Sequence, residues 1–487
     1  MSHTESSIRS YGGNGGLVTG SCHVYERGDN KIMVDMGMFQ GRDEIISETG
    51  KQRNLEPISE ICRGTSTVLV THAHIDHTGR LPLIFKNGFT PNIYATEETI
   101  GFMEVLLYNS ADIQKKDKDQ IQIYSKEDVD ILLKKMKKVE PFEEVPVGNH
   151  NSKIKACFLP NGHVTGSTSI VLRDGQNKEN ILFTGDIGRP NQLLCGGYNE
   201  YTDKYPDCRI NTVVTESTCS ENIPVTFEER EKNILEAILK TGDRGGNSLF
   251  PVLNFHRLQE IIEMVHHWQE DGRLPLDYKI IIDAPTGMKI SEVFDDLGPN
   301  HLTARYGNDP SFYKTSESSR NRFVLKNSTV IGSHEESKLN AKNLANTQEK
   351  YIILASGGMA NNGRSLNYIS GEFNQNSNNS VVFTCYQVPG TKGAEMLSAE
   401  EKIKLELKKK KKAEIMWTDG NTGHATGPEI NNFIERFNLN DLHNIIVTHG
   451  RNPAREAYVK DTKGRDYYKN ISMMVLPVIR QRVKLYT

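Results

Sequence analysis

The stretch THAHIDHTGRLP at 71–82 packs His72, His74, Asp76 and His77 into six positions and then enters the apolar run LPLIF. Side chains two residues apart in an extended segment point the same way, so His72 and His74 can hold one cation together. Asp76 and His77 fall where TGRLPLIF begins and can face a second cation from the start of a helix. Imidazole with carboxylate suits zinc and other borderline divalent metals. Seven scattered cysteines without a CxxC pair argue against a structural zinc finger. Neighbouring residues alone cannot surround two cations, so further donors must come from far along the chain. His163 in NGHVTGSTSIVL, Asp186 in ILFTGDIGR and His449 in NIIVTHG are the candidates.

Such donors need rigid supports. Apolar runs rich in β-branched residues end in single polar residues, most of them running into glycine: IMVDMG at Asp35, STVLVTHAH at His72, ILFTGD at Asp186, TVVTES at Glu216 and NIIVTHG at His449. A buried strand that delivers His, Asp or Glu at its carboxyl end builds a site on the rim of a sheet, and this repeated grammar predicts one shared rim. Helical patterns at 227–243, 255–272 and 428–437 alternate with these strands, which makes the chain mixed α/β. The charged segment 113–141 reads as a solvated helical excursion. The alternating IKLEL before Lys408–Lys412 suggests a strand with a charged turn or edge, or else a phosphate-attracting patch.

The length of 487 residues leaves room for two or three domains, and 25% charged with 36% hydrophobic residues is ordinary for a globular chain. A net charge of −3 decides nothing about a polyanionic partner, because a basic groove can hide in a neutral total. The odd number of cysteines speaks against a secreted disulfide framework. No secretory leader is expected, and no run approaches the roughly 18 apolar residues of a membrane span. A cytoplasmic location, or a cytosol-like one in a nucleus, follows as the expectation, with no membrane partner.

The ordered series Asp35, HAHIDH, His163 and Asp186 resembles the metallo-β-lactamase superfamily. VVTESTCS, PVLNFHRLQEII, SGGMANNGRSLNYI, CYQVPGTKG, TGHATG with His424, and VTHG narrow the likeness to its β-CASP branch of nucleases. The resemblance runs from GGLVTGSCH to VTHG. It is nearer to the endonuclease subunit of the cleavage and polyadenylation specificity factor and its prokaryotic relatives than to RNase J. Neither the long C-terminal extension of RNase J nor the N-terminal RNA-binding domain of many archaeal members is expected.

The resemblance implies an αββα sandwich from residues 1–214 and 396–487, with an α/β cap at 215–395 and the active site at their interface, in a cleft that admits a single strand. It implies two zinc ions, manganese being the alternative. His72, His74 and His163 would hold one, Asp76, His77 and His449 the other, and Asp186 would bridge. Asp35 would orient the ligand loop, and Glu216 would pair with His424 beside the metals. Two cations can share a hydroxide that attacks phosphorus while cationic His424 protonates the leaving oxygen. Asp76, His424, Glu216 and Asp35 are then the catalytic set. The implied reaction is hydrolysis of single-stranded RNA at internal bonds, leaving a 5′-phosphate and a 3′-hydroxyl.

Gly357, Gly358 and Gly363 can cradle a phosphate that Arg364 grips, with Ser356, Lys392 and His256 as further contacts. Glycine-rich loops are also ordinary turns, and His256 can simply cap or pack a helix. Branch members that act on DNA tend to carry valine where His449 stands, which favours RNA over a DNA nuclease. A small-molecule hydrolase would not need the long segment between Glu216 and His424, and a non-catalytic scaffold would generally have lost metal ligands. Thr426 and Arg451 depart from the aspartate and glutamate common in the family. A homodimer or an RNA-processing complex is the expected assembly.

Overall fold

The structure is a computed structural model, and it describes the chain except residues 1–4, 47–48, 50, 118–120, 176–177, 200–208, 298–322, 326, 348, 399–411, 419–421 and 486–487. The described residues pack as two compact units. One is formed by Met1–Ile223 and Gly423–Thr487, and the other by residues from Pro224 to Thr422.

In the first unit, β1 (Ser6–Gly12), β2 (Cys22–Arg27) and β3 (Asn30–Val34) form an antiparallel meander. Strand β3 continues in parallel into β4 (Thr67–Leu69), β5 (Asn92–Thr96) and β6 (Met136–Val139). The second sheet repeats this design. β7 (Glu144–Val147), β8 (Ile154–Pro160), β9 (Thr168–Asp174) and β10 (Glu179–Phe183) run antiparallel, and β10 leads in parallel into β11 (Thr212–Thr215).

The second unit is a wholly parallel sheet of β12 (Ser248–Val252), β13 (Lys279–Asp283), β14 (Ser328–Val330), β15 (Tyr351–Ser356), β16 (Ser380–Phe383) and β17 (Glu414–Trp417) in the order β14-β13-β15-β12-β16-β17. The chain then returns to the first unit. There β18 (Asn444–Val447) and β19 (Met473–Val475) extend the second sheet beyond β11, and β20 (Arg482–Lys484) pairs with β1.

The two sheets of the first unit bury one apolar layer between them. Ile8, Tyr25, Ile32, Val34 and Leu69 meet Phe158, Ile170, Leu172, Phe183, Val214 and Ile446. The parallel strands β11 and β18 are buried along their whole length, as strands covered on both faces must be, which explains the absence of an alternating apolar and charged pattern in them. Mixed sheets packed face to face, with crossover helices and an inserted parallel α/β unit, realise the expected αββα class.

The strand ends that bear polar residues do not share a single rim. Those at Asp35 and His72 close β3 and β4 of the first sheet, whereas those at Asp186, Glu216 and His449 close β10, β11 and β18 of the second. Segment 113–141 is only partly a helical excursion. Helices Glu97–Lys116 and Lys126–Lys135 are followed by edge strand β6, where Lys137 and Lys138 are exposed and Val139 is buried. IKLEL and Lys408–Lys411 lie outside the described residues. Strand β17, beyond residue 395, pairs with β16 in the second unit.

Among the described residues no helix is long and apolar enough to cross a membrane.

Candidate metal centre

All five site-bearing strands deliver their polar residue from a carboxyl end within the parallel part of a sheet, where strand ends open onto loops. The loop after β3 is stitched to the loop after β4. Met36 N–H donates to His77 O at 2.8 Å, Met38 N–H to Ile75 O at 2.9 Å, and Arg80 N–H to Met36 O at 2.9 Å. Gly37 is required in this contact, since a Cβ there would lie 1.5 Å from Asp76 O. In the second sheet Asn161 Nδ2 donates to Thr184 O and Asp186 O, both at 2.9 Å, which sets His163 beside Asp186. Gly188 crosses the same loop so closely that a Cβ would meet Gly162 O at 1.8 Å.

Hydrogen bonds then decide which nitrogen of each ring faces inward. His77 Nδ1 donates to Asp35 Oδ2 at 2.8 Å and His163 Nδ1 to Gly423 O at 2.8 Å. Thr71 Oγ1 donates to Asp35 Oδ2 at 2.7 Å, so at 3.0 Å it must accept from His72 Nδ1. Thr218 Oγ1 donates to His449 O at 2.9 Å and accepts from His449 Nδ1 at 2.8 Å. Four imidazoles thereby turn their Nε2 atoms toward the cluster, the nitrogen each would offer a cation. Asp35 and His449 hold left-handed backbone, at φ 60 and 44, a conformation that persists in non-glycine residues only when the surroundings enforce it.

Two donor groups result. His72 Nε2 and His163 Nε2 lie 3.0 and 3.2 Å from His74 Nδ1, and both lie 3.6 Å from Asp186 Oδ2. His77 Nε2 and His449 Nε2 are 3.2 Å apart, His449 Nε2 is 3.4 Å from Asp76 Oδ2, and the two rings lie 3.2 and 3.5 Å from Asp186 Oδ1. A tetrahedral cation with ligand bonds near 2.0–2.1 Å separates its ligands by about 3.3 Å, so both donor sets fit such an ion. Each oxygen of Asp186 faces one group, and Oδ1 is buried without a hydrogen bond.

Electrostatics agree with this fit. Burial drives His72 and His163 well below the ordinary imidazole range and His74 down to about 4, so these three are neutral donors. For His77 burial acts the same way, but Asp186 and Asp35 outweigh it and hold the ring protonated when no cation is present. Burial raises the Asp186 carboxyl, yet His449, His77 and His424 bring it well below the usual range. Asp76, lowered to about 2 by His449 and His77 against its burial, is likewise ionised. Filling the His77 group therefore releases a proton. Asp35→Asn would turn an amide N–H toward a donor that the carboxylate now accepts from. It is expected to weaken the cation of the His77 group by about 10–100-fold, as read by metal titration of the stripped protein.

Beside these groups, Glu216 Oε2 accepts from His424 Nδ1 at 2.9 Å, and Glu216 Oε1 accepts from Ile187 N–H at 2.5 Å. His424 Nε2 lies 4.0 Å from Asp186 Oδ2. Burial opposes charge on His424, but Glu216 and Asp186 prevail and raise it to about 9. With both carboxylate oxygens of Glu216 accepting hydrogen bonds, this arrangement stores a proton beside the two donor groups.

The second unit carries the remaining candidates. Ser356 ends β15, and the following Gly357, at φ 101, approaches Asn362 O so closely that a Cβ would lie 2.0 Å from it. Gly358 O accepts from Gln387 Nε2 at 2.9 Å. The Arg364 guanidinium bonds Gly332 O and Ser333 O and lies 3.8 Å from Asp283 Oδ1. Lys392 opens helix Lys392–Leu397, its ammonium 3.3 Å from Glu395. His256 is buried at φ 71, 3.4 Å from Glu260 and 3.0 Å from the Arg257 guanidinium. Thr71 and Thr218, which orient His72 and His449, are absent from the sequence-based candidates. Thr71 adjoins His72, and Thr218 stands two residues beyond Glu216.

A sandwich of two mixed sheets with histidines and carboxylates gathered at its strand ends defines a mixed α/β protein with a candidate two-cation centre. The model of the metallo-beta-lactamase superfamily matches residues 15–209, and that of the Beta-Casp domain matches residues 258–396. The chain belongs to the β-CASP branch of the metallo-β-lactamase superfamily.

Transcription termination factor FttA of Methanosarcina mazei is 25% identical over 425 residues, 86% of this chain and 63% of that relative. Ribonuclease TTHA0252 of Thermus thermophilus is 27% identical over 424 residues, 86% and 88% of the two chains. Probable RNase MJ4 of Methanocaldococcus jannaschii is 26% identical over 382 residues, 77% and 78% of the two chains. The chain thus spans less than two thirds of the length of the M. mazei factor. A crystal structure of a protein of unknown function from Enterococcus faecalis V583 shares the fold, with a TM-score of 0.56 and 13% identity over 99% of this chain and 100% of that one.

Proposed function

We propose that this chain is a metal-dependent ribonuclease that hydrolyses single-stranded RNA at internal phosphodiester bonds, using two zinc ions or manganese in their place. The observation that carries the reading is the pair of donor groups joined through the two oxygens of Asp186, with the His424–Glu216 pair alongside. Relatives named as ribonucleases supply the choice of RNA. His72, His74 and His163 would hold one cation, Asp76, His77 and His449 the other, and Asp186 both. Bound there, two divalent cations supply a nucleophile at neutral pH and neutralise charge on a phosphate oxygen.

The protein's own residues do the rest. Asp35 keeps the His77 ring turned so that Nε2 faces inward. Glu216 keeps a proton on His424 through Nδ1, so that Nε2–H can be given to the leaving oxygen. The loop from Ser356 to Gly358, together with Arg364 and Lys392, would contact the RNA backbone, so binding should weaken as salt rises. The assembly this reading favours is a homodimer or an RNA-processing complex in the cytoplasm.

The decisive test uses labelled circular and linear single-stranded RNA with matched DNA, in zinc or manganese, alongside His77→Ala and Asp186→Ala proteins. Circular RNA should be opened by the wild type alone and the DNA left intact. Two bound cations with no cut in any nucleic acid would overturn the nuclease reading.

A further inference from the structure

Arg451, which stands where the resembling family commonly has glutamate, follows directly on His449 and Gly450. It is the N-cap residue of helix Asn452–Thr462 and makes no side-chain cap bond there. Its guanidinium reaches instead to Asp43, Nη1 donating to Oδ1 at 2.7 Å, and the same nitrogen donates to Gly16 O at 3.2 Å.

Asp43 is 1% exposed. Its Oδ2 accepts from Val18 N–H at 2.8 Å, Thr19 N–H at 3.0 Å and Thr19 Oγ1 at 3.1 Å. The loop it gathers is closed by Gly13 N–H donating to Thr19 O at 3.1 Å, and Gly13 O accepts the N–H of His449. The backbone of His449 is also held from the other side, where His449 O accepts from Ser217 N–H at 3.1 Å and from Thr218 Oγ1. A non-glycine residue at φ 44 needs such enclosure on both sides. A glutamate at 451 would set a second carboxylate against buried Asp43, so the two residues are matched to one another.

We propose that Asp43 and Arg451 form a strap that presses the Gly13–Thr19 loop onto His449, and that Arg451 is thereby a positioning residue for the donor group of Asp76, His77 and His449. The part of the proposal that concerns a cation rests on the function proposed above. The strap itself does not.

The full-length chain is compared with Arg451→Met, Arg451→Lys and Asp43→Asn by hydrogen exchange of the stripped protein and by cobalt(II) titration followed by absorbance. In Arg451→Met, exchange should quicken at residues 13–19 and 444–452, leaving the rest of the chain as in the wild type. One of two cobalt equivalents should weaken on the order of 10-fold while the other is unchanged. Lysine should restore part of both effects, because its ammonium can reach Asp43 as a point charge.

Unchanged exchange in both segments would overturn the strap. So would equal weakening of both equivalents with a fall in thermal midpoint, which is what a merely structural role gives. If exchange quickens as expected but the wild type takes up no pair of cations, the strap stands and the metal reading fails.

Discussion

Asp186→Ala is expected to strip the protein of both cations at once and to lower RNA cleavage by about 10³-fold or more. The reason is geometric. Oδ2 lies 3.6 Å from His72 and His163, and Oδ1 lies 3.2 and 3.5 Å from His77 and His449, so one side chain belongs to both donor groups. His74→Ala removes a donor from one group only and should leave the other cation in place. Counting metal per chain after dialysis separates the two variants. Retention of two tightly bound ions by Asp186→Ala would show that the groups are independent and that the carboxylate is not shared. Asn161, which pins the Asp186 carbonyl, keeps the backbone in position in the variant, so the loss can be assigned to the carboxylate.

The cluster at 72–77 is legible in the sequence because four ligand-type residues at that spacing follow an apolar strand, and strand and loop are local. His163, Asp186 and His449 are legible as candidates for the same reason, each beside a strand and a glycine. Which sheet each strand joins is not local. β3 and β4 pair in one sheet and β10, β11 and β18 in another, a partition set by long-range pairing and by the apolar layer between Val34, Leu69, Phe183 and Val214. The orienting hydroxyls were hidden for a related reason. Nothing near Thr71 or Thr218 tells which ring nitrogen must be satisfied until His72, Asp35 and His449 have been brought together.

One departure from the family pattern, Thr426, acquires a structural role. Thr426 forms a capping box with Glu429, whose carboxylate also pairs with Arg189 at 3.3 Å, so the residue near His424 secures helix Gly427–Ile434. The helix expected at 428–437 accordingly begins at its cap and ends at Ile434. Arg364 shows the reverse difficulty. An arginine beside glycines suggests a phosphate grip, and the carbonyls that fix its guanidinium while leaving other N–H groups for a phosphate, Gly332 O and Ser333 O, come from a segment about thirty residues earlier. No local pattern announces those carbonyls.

His424→Ala is expected to lower cleavage by about 10²–10⁴-fold while both cations remain bound, because its Nε2 lies 4.0 Å from Asp186 and the donor groups are complete without it. Its pH signature has a definite sign. Glu216 and Asp186, acting against burial, raise the ring to about 9, so the cation persists through neutral pH and is lost as pH rises through that value. A general acid is active in its protonated form, and the rate should therefore fall on the alkaline side. A cation on Asp186 would cancel part of the lift, whereas the contribution of Glu216, through the 2.9 Å bond to Nδ1, survives metal binding. Glu216→Gln should consequently move the alkaline limb to lower pH, so that activity at neutral pH falls while activity at mildly acidic pH is partly kept. Metal content measured on the same samples guards against a trivial loss of ions. An alkaline limb at the same pH in the wild type and in Glu216→Gln, with two ions bound in each, would mean that the leaving oxygen receives its proton from a group other than His424.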